Sequence, residues 1–383
     1  MMVVTKQHQI FFDFLRFCIG SESEIPSSLK EVDWKELYRI AQKQCLVGIL
    51  FDGIQKLPPA EVGMSKDLLL QWMVQCQMQE KANVRLNDAA IQVSEWFRKK
   101  GFRTCILKGQ GNALLYPNGL HRTPGDIDIW VEGGDKRVIS FVRSISPHEK
   151  ACYHHIEFPS HKGVEVEVHY RPSFLLCFWH DRKLQKYYER VKEEQFSHRV
   201  MLGEQGEIAI PTAEFNLIFQ LTHIFSHLMN EGIGLRQLLD YYFVLISDDL
   251  LVISDDLLLI RDDLSLIRDR VQKVLKELGL WKFAGAIMYI MQEVFGMPAS
   301  RLIVPPNEKY GKFVLNEVLE AGNFGKHDAR NRFGRSKLGH NLQRVYRDMR
   351  LVRYFPAEAL CEPIFRIWHF FWRLRWDFTY RLR

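Results

Sequence analysis

Apolar residues recur at helical spacing through the first hundred positions. In DWKELYRIAQKQCLVGILFDGIQKL, Leu37, Ile40, Ala41, Cys45 and Leu46 fall on one stripe. Asp33 stands where an N-cap belongs, and the pair Pro58-Pro59 closes the run. A longer periodic stretch covers residues 65–100, and Gly101 follows as a C-terminal break. Then the period shortens. Residues 104–107 (TCIL), 127–131 (IDIWV) and 164–170 (VEVEVHY) read as short strands separated by Gly- and Pro-containing turns. From Pro211 helices resume with TAEFNLIFQLTHIFSHLM, capped by Thr212, and helical texture continues to Arg383. The pattern predicts an α+β protein. A helical region over 1–64 precedes a helix-plus-sheet core over 65–205, and a second helical region covers 206–383.

One repeat interrupts this pattern. LISDDLL, VISDDLL, LIRDDLS and LIRDR recur with period seven over 245–270, which predicts an elongated exposed helix with an apolar seam and an acidic outer face. Its near-identical copies read as an insertion without chemistry of its own.

Composition then narrows the class. The chain has 383 residues, 47% hydrophobic and 26% charged, which is globular usage and excludes a disordered or fibrous protein. Seven cysteines lie scattered with no C-x-x-C pair, as expected of reduced thiols in a cytoplasmic protein. The N-terminus does not read as a signal peptide, and no apolar run reaches the roughly 18 residues a membrane span needs. The formal net charge is only +6, but it is unevenly spread. Residues 326–383 carry 14 Lys+Arg against 5 Asp+Glu, whereas the repeat holds seven Asp against three Arg. A polyanionic partner, if there is one, is expected at 326–383.

The residues that carry chemistry lie in LKGQGNALLYPNGLHRTPGDIDIWV (107–131) and VEVEVHYRP (164–172). Asp126 and Asp128, at i and i+2 about a strand start, project to one face about 6–7 Å apart. Ile127, Ile129 and Val131 point the other way. Two carboxylates so placed call for a positive partner, and a hard divalent cation such as Mg²⁺ suits oxygen ligands. On the later strand Glu165, Glu167 and His169 share a face, so Glu167 or Glu165 can complete a three-carboxylate cluster for two ions. Upstream, Lys108-Gly109-Gln110-Gly111 forms a Gly-containing strand-to-helix turn whose backbone N–H groups can approach phosphate, with Lys108 and Arg122 adding positive charge.

The order of Gly turn, Asp-x-Asp and a later acidic strand resembles the DNA polymerase β-like nucleotidyltransferase superfamily. More narrowly, LKG, the Arg before Gly-Asp-Ile-Asp, Val-Glu-Val-His, HLMNEGIGLRQLLDYYFVL (227–245) and GNFGKHD (322–328) resemble the bacterial family described as uncharacterised nucleotidyltransferases. The resemblance implies a mixed sheet flanked by helices and Mg²⁺-dependent use of a nucleoside triphosphate, ATP among them. A nucleotidyl group would pass to an acceptor, whether protein, nucleic acid, sugar or small molecule. By position, Asp126, Asp128 and Glu167 would be metal ligands and catalytic carboxylates, and Lys108, Gly109, Gln110 and Arg122 phosphate contacts. Gln110 departs from the Gly-Ser or Gly-Gly usual in that turn. The alternative is a non-catalytic module that keeps the fold and binds nucleotide or polyanion.

Other residues read more plainly. His169 is expected to orient a carboxylate, and His154, His155 and His161 to be surface or supporting histidines. His223 and His227, i,i+4 on a helix, are expected to pack in a core or substrate pocket, and Arg236 to pair with Asp240. Asn323 to Asp328 is expected to lie near the site. The terminal RIWHFFWRLRWDFTYRLR is read as an amphipathic helix whose Trp368, Phe371, Trp372 and Trp376 cover a core, ahead of base stacking or a membrane surface.

Overall fold

The computed structural model describes residues 4–58, 63–204, 206–247, 263–330 and 337–381. It begins with α1 (Lys6–Ile19), α2 (Trp34–Gln44) and α3 (Val47–Lys56). Asp33 caps α2 as expected, its carboxylate accepting from the amides of Lys35 and Glu36. The expected single run through residue 57 is in fact two helices. Cys45 adopts the left-handed conformation (φ 57°, ψ 45°), so its amide closes on Ala41 and Gln42 and the chain turns before α3. The 34-residue α4 (Lys66–Lys99) is capped by Ser65, and Gly101 (φ 79°) ends it, as the sequence predicts.

The core follows as β1 (Thr104–Ile106), α5 (Gln110–Ala113), β2 (Ile127–Val131), α6 (Gly134–Ile145), β3 (His155–His161), β4 (Val164–His169) and α7 (Phe178–Ser197). The sheet is mixed, with strand order β1-β2-β4-β3. β1 runs antiparallel to β2, β2 parallel to β4, and β3 antiparallel to β4. A two-stranded ribbon, β5 (Arg199–Met201) with β6 (Glu207–Ala209), follows α7. Strand alternation sorts the main sheet into two faces. Ile127, Ile129 and Val131 enter one core with Val166, Val168 and Ile156, under α4 and α6. The opposite face carries Asp128, Glu167 and His169, and Trp130 enters the second, larger core that joins the helical regions.

The remaining helices are α8 (Ala213–Asn230), α9 (Leu235–Ile246), α10 (Asp263–Glu277), α11 (Trp281–Phe295), α12 (Glu308–Ala321), α13 (Lys337–Leu351) and α14 (Pro356–Arg381). Thr212 caps α8, accepting from Phe215 N. Most of the heptad repeat, 248–262, lies outside the described residues; its last stretch opens α10. No helix among the described residues is long and apolar enough to cross a membrane.

Helix α14 departs from the expected core-covering role. Trp372 and Trp376 pack against the sheet core, and Trp368 reaches Tyr153, but Phe371 is exposed. So are Leu360, Ile364 and Ile367.

Candidate active site

A cavity of about 690 Å³ opens between the polar face of the sheet, α8, the start of α9, the turn after α12 and the α13–α14 pair. Lys108, Gly109, Asp126, Asp128 and Glu167 all line it. The register of β2 with β4 sets Asp128 directly opposite Glu167. Asp126 precedes the strand by one residue, and the three carboxylates each offer an oxygen within 4.8 Å of the others. Glu165 stays exposed outside this group.

Electrostatics separates the three acids. Asp126 is raised above its ordinary range, first by the like charge of Asp128 and then by burial. Burial opposes ionisation of Asp128, yet Lys108 and His169 outweigh it and hold the carboxyl well below its usual value. Lys108 Nζ lies 2.9 Å from Asp128 Oδ2, and His169 Nε2 lies 2.9 Å from Oδ1. Glu167 is likewise lowered: burial resists, but His169 and His155 prevail. His169 itself, despite burial, is held up to about 9 by hydrogen bonds to Asp128 and Glu167. A cluster in which one acid resists ionisation first because a neighbouring carboxylate is charged, and then because it is buried, fits a hard divalent cation.

The phosphate-side expectations fare unevenly. Gly109 lines the cavity at φ 53°, ψ −108°, a conformation suited to glycine, with its carbonyl joined to Ala113 N. The helix behind it, α5, is a single turn of four residues, too short for an appreciable dipole. Gln110 is buried away from the cavity, its side-chain amide donating to Asn87.

Arg122 is the clearest change. Its Nε and Nη2 each lie 2.8 Å from a carboxylate oxygen of Asp240, which Tyr116 also meets at 2.6 Å. The fork expected for a triphosphate is therefore committed to protein, leaving only Nη1, which is buried without a partner among the described residues. Asp240 thus pairs with Arg122, not with Arg236 as helical spacing predicted. Arg236 instead donates from Nη1 to Thr123 O at 3.1 Å.

Three neighbouring side chains leave buried donors unpaired among the described residues: Arg122 Nη1, Arg236 Nε and Gln237 Nε2. All three residues line the cavity. Arg236 also lies over the Phe324 ring, 5.7 Å from its centroid. Phe324 is a non-glycine residue in the left-handed region (φ 53°, ψ 30°), held between Gly322 and Gly325 in a one-turn element. A Cβ on Gly325 would meet the carbonyl oxygen of Glu231, so the backbone presses close there and the strained turn keeps its ring at the cavity. The expectation that 323–328 borders the site is met by Phe324 and Lys326.

Histidines surround the cluster, and His154, His155, His169, His223 and His227 all line the cavity. His169 meets Asp128, as expected of a residue that orients a carboxylate. His223 and His227 lie in the pocket, and His154 and His155, read as surface or supporting residues, line it too. His223 Nε2 lies 3.0 Å from Lys108 Nζ and 2.9 Å from His227 Nε2. Burial, with Lys108 next, pushes His223 well down and keeps it neutral. The doublet His154-His155 is the sequence signal for this wall. The far wall, with Arg344, Arg366 and His369, has none beyond its basic composition.

A family model described as uncharacterised nucleotidyltransferase matches residues 30–296. The chain belongs to that family. No curated protein and no solved structure matches it. The uncharacterised-nucleotidyltransferase match includes the carboxylate cluster, the Gly109 turn, Arg122 and Arg236. Phe324, Lys326 and the Arg344–His369 wall lie beyond it.

Proposed function

We propose that this protein is a Mg²⁺-dependent, polymerase β-like nucleotidyltransferase. It transfers a nucleotidyl group from a nucleoside triphosphate, ATP or a relative, to an acceptor. The observation that carries the reading is the meeting of Asp126, Asp128 and Glu167 within 4.8 Å inside the cavity, beside unpaired buried cationic donors. Asp126, Asp128 and Glu167 would hold the Mg²⁺ ions, which when bound neutralise charge on the phosphates. Lys108 and the open Gly109 turn border the cluster on one side. Arg122 Nη1, Arg236 and Lys326 supply positive potential on the other, where the β- and γ-phosphates are held. An acceptor atom forms a bond to the α-phosphorus, the bridging P–O bond to the β-phosphate breaks, and pyrophosphate leaves with that electron pair. The acceptor's proton passes to solvent. The cavity walls would align the reactants, and holding them in one geometry makes the bimolecular step effectively unimolecular.

The test uses a triphosphate labelled at the α-phosphate, incubated with the full chain, Mg²⁺ and fractionated candidate acceptors. Label should appear covalently on one acceptor fraction and disappear with Asp126→Asn. Nucleotide binding that needs no divalent ion and survives Asp126→Asn, with no label transferred in any fraction, would favour the non-catalytic binding module instead.

A further inference from the structure

The carboxylate cluster does not account for the imidazoles beside it. Strand register decides which groups meet. In the antiparallel pairing of β3 with β4, His155 stands opposite His169. Two residues back along β4, Glu167 stands opposite Asp128 of β2. Alternation keeps Glu167 and His169 on one face. Across three strands, this face therefore grades from oxygen donors on β2 to nitrogen donors on β3.

The geometry of the nitrogen end is that of a ligand set. His155 Nδ1 lies 3.2 Å, and His169 Nε2 3.4 Å, from the same oxygen, Glu167 Oε2. One ligand atom from each of the three residues falls within 4.8 Å of the others. His169 is 2% exposed, and its Nδ1 lies 3.3 Å from the carbonyl oxygen of Arg171. A carbonyl only accepts, so Nδ1 carries a hydrogen. Nε2 faces the carboxylates, 2.9 Å from Asp128 Oδ1 as well as 3.4 Å from Glu167 Oε2. An ion binding Nε2 takes the place of the proton shared there, with Nδ1 still donating to Arg171 O, as supporting partners arrange for metal-binding histidines. His154 Nε2 lies 3.0 Å from the same His155 Nδ1, with Cys152 Sγ 3.5 Å from His154 Nδ1, so an ion that takes Nδ1 displaces the His154 contact.

We propose that His155, His169 and Glu167 form a second metal site, for a first-row transition ion of the Mn²⁺ or Zn²⁺ class. Glu167 is shared with the all-oxygen set of Asp126 and Asp128. Mg²⁺ prefers oxygen and keeps its waters, whereas two imidazoles and a carboxylate suit the borderline ions. The proposal rests on the catalytic reading of the carboxylates only through this shared ligand. The chain would thus select unlike ions at adjacent positions, one hard and one borderline.

The experiment is a Co²⁺ titration of the chelator-stripped full chain in excess Mg²⁺, followed by visible absorption, with X-ray absorption at the cobalt edge. Wild type should bind about one Mg²⁺-resistant equivalent with imidazole nitrogen scatterers. His155→Gln should lose that equivalent. Asp126→Asn should keep it while losing Mg²⁺-dependent triphosphate binding. Co²⁺ that Mg²⁺ displaces fully, that survives His155→Gln, or whose edge spectrum shows oxygen ligands alone would overturn the site; the cobalt-edge spectrum of wild type decides this without any variant. If Asp126→Asn keeps both the cobalt equivalent and triphosphate binding, the catalytic reading fails and the histidine site stands.

Discussion

Asp126 shows what the site costs the fold. Its carboxyl is raised above the ordinary value by the charge of Asp128 and by burial, so the charged form is less favourable in the folded chain than in the unfolded one. Removing that charge should stabilise the metal-free protein. For an acid raised in this way the penalty is absent below about pH 4, where both states are protonated, and grows as pH rises through the folded value. Asp126→Asn should therefore melt higher than wild type at neutral pH without divalent ions, with the gap closing near pH 4, as followed by thermal denaturation. A lower melting point at pH 7 would contradict it. Asp128 behaves oppositely, because Lys108 and His169 already hold its charge. At this scale the sequence reveals the acids and Lys108, since residue type and i,i+2 spacing are local. It does not reveal that Arg122 spends its fork on Asp240, 118 positions away. That pairing is settled by tertiary packing, which helical spacing between Arg236 and Asp240 cannot report.

Elements with clean alternation or a strong cap are legible in the amino-acid pattern alone. Residues 127–131 and 164–169 form strands because their valines and isoleucines alternate with polar residues, and α4 follows its capping Ser65. β3 is not legible in this way. HIEFPSH has little alternation and a proline, tolerated only because β3 lies at the sheet edge and its register shifts between Phe158 and His161. Without β3 the partner strand of His169 stays hidden, and with it the meaning of the histidine doublet. The break at Cys45 is hidden because a non-glycine left-handed residue leaves no sequence mark. The cap at Asp33 offers a local check. Its carboxylate accepts from Lys35 N at 3.0 Å and Glu36 N at 3.2 Å. Asp33→Ala should cost about 1 kcal/mol, read as a lower urea midpoint with an unchanged slope. No shift would show that α2 is held by its buried face alone. Helix α14 gives a contrasting lesson: aromatics at helical spacing predict burial, yet Phe371 is exposed while Trp372 reaches the core.

Over the whole molecule, the sheet separates two hydrophobic cores and gives only its polar face to the cavity. The acids come from the sheet and the residue before β2, the histidines from the β3–β4 side and α8, and most of the cationic wall from helices far along the chain. The overall +6 charge conceals this division, since the excess over 326–383 supplies Lys326, Arg344 and Arg366 to the cavity lining. The fold class and the acid cluster are thus legible in sequence, while the cavity itself is not, because it forms only when α8, α13 and α14 close over the sheet. Lys326, Arg344 and Arg366 lie beyond the family match. The central claim, that the acids bind a triphosphate through a divalent ion, is tested most directly by thermal stability. Wild type and Asp126→Asn are melted with each ribonucleoside triphosphate, with and without Mg²⁺. A ligand at a hundred times its dissociation constant stabilises by about 2.7 kcal/mol. Wild type should show a stabilisation of that order only with triphosphate and Mg²⁺ together, and Asp126→Asn should show none. Equal stabilisation without Mg²⁺, or in Asp126→Asn, would contradict the account.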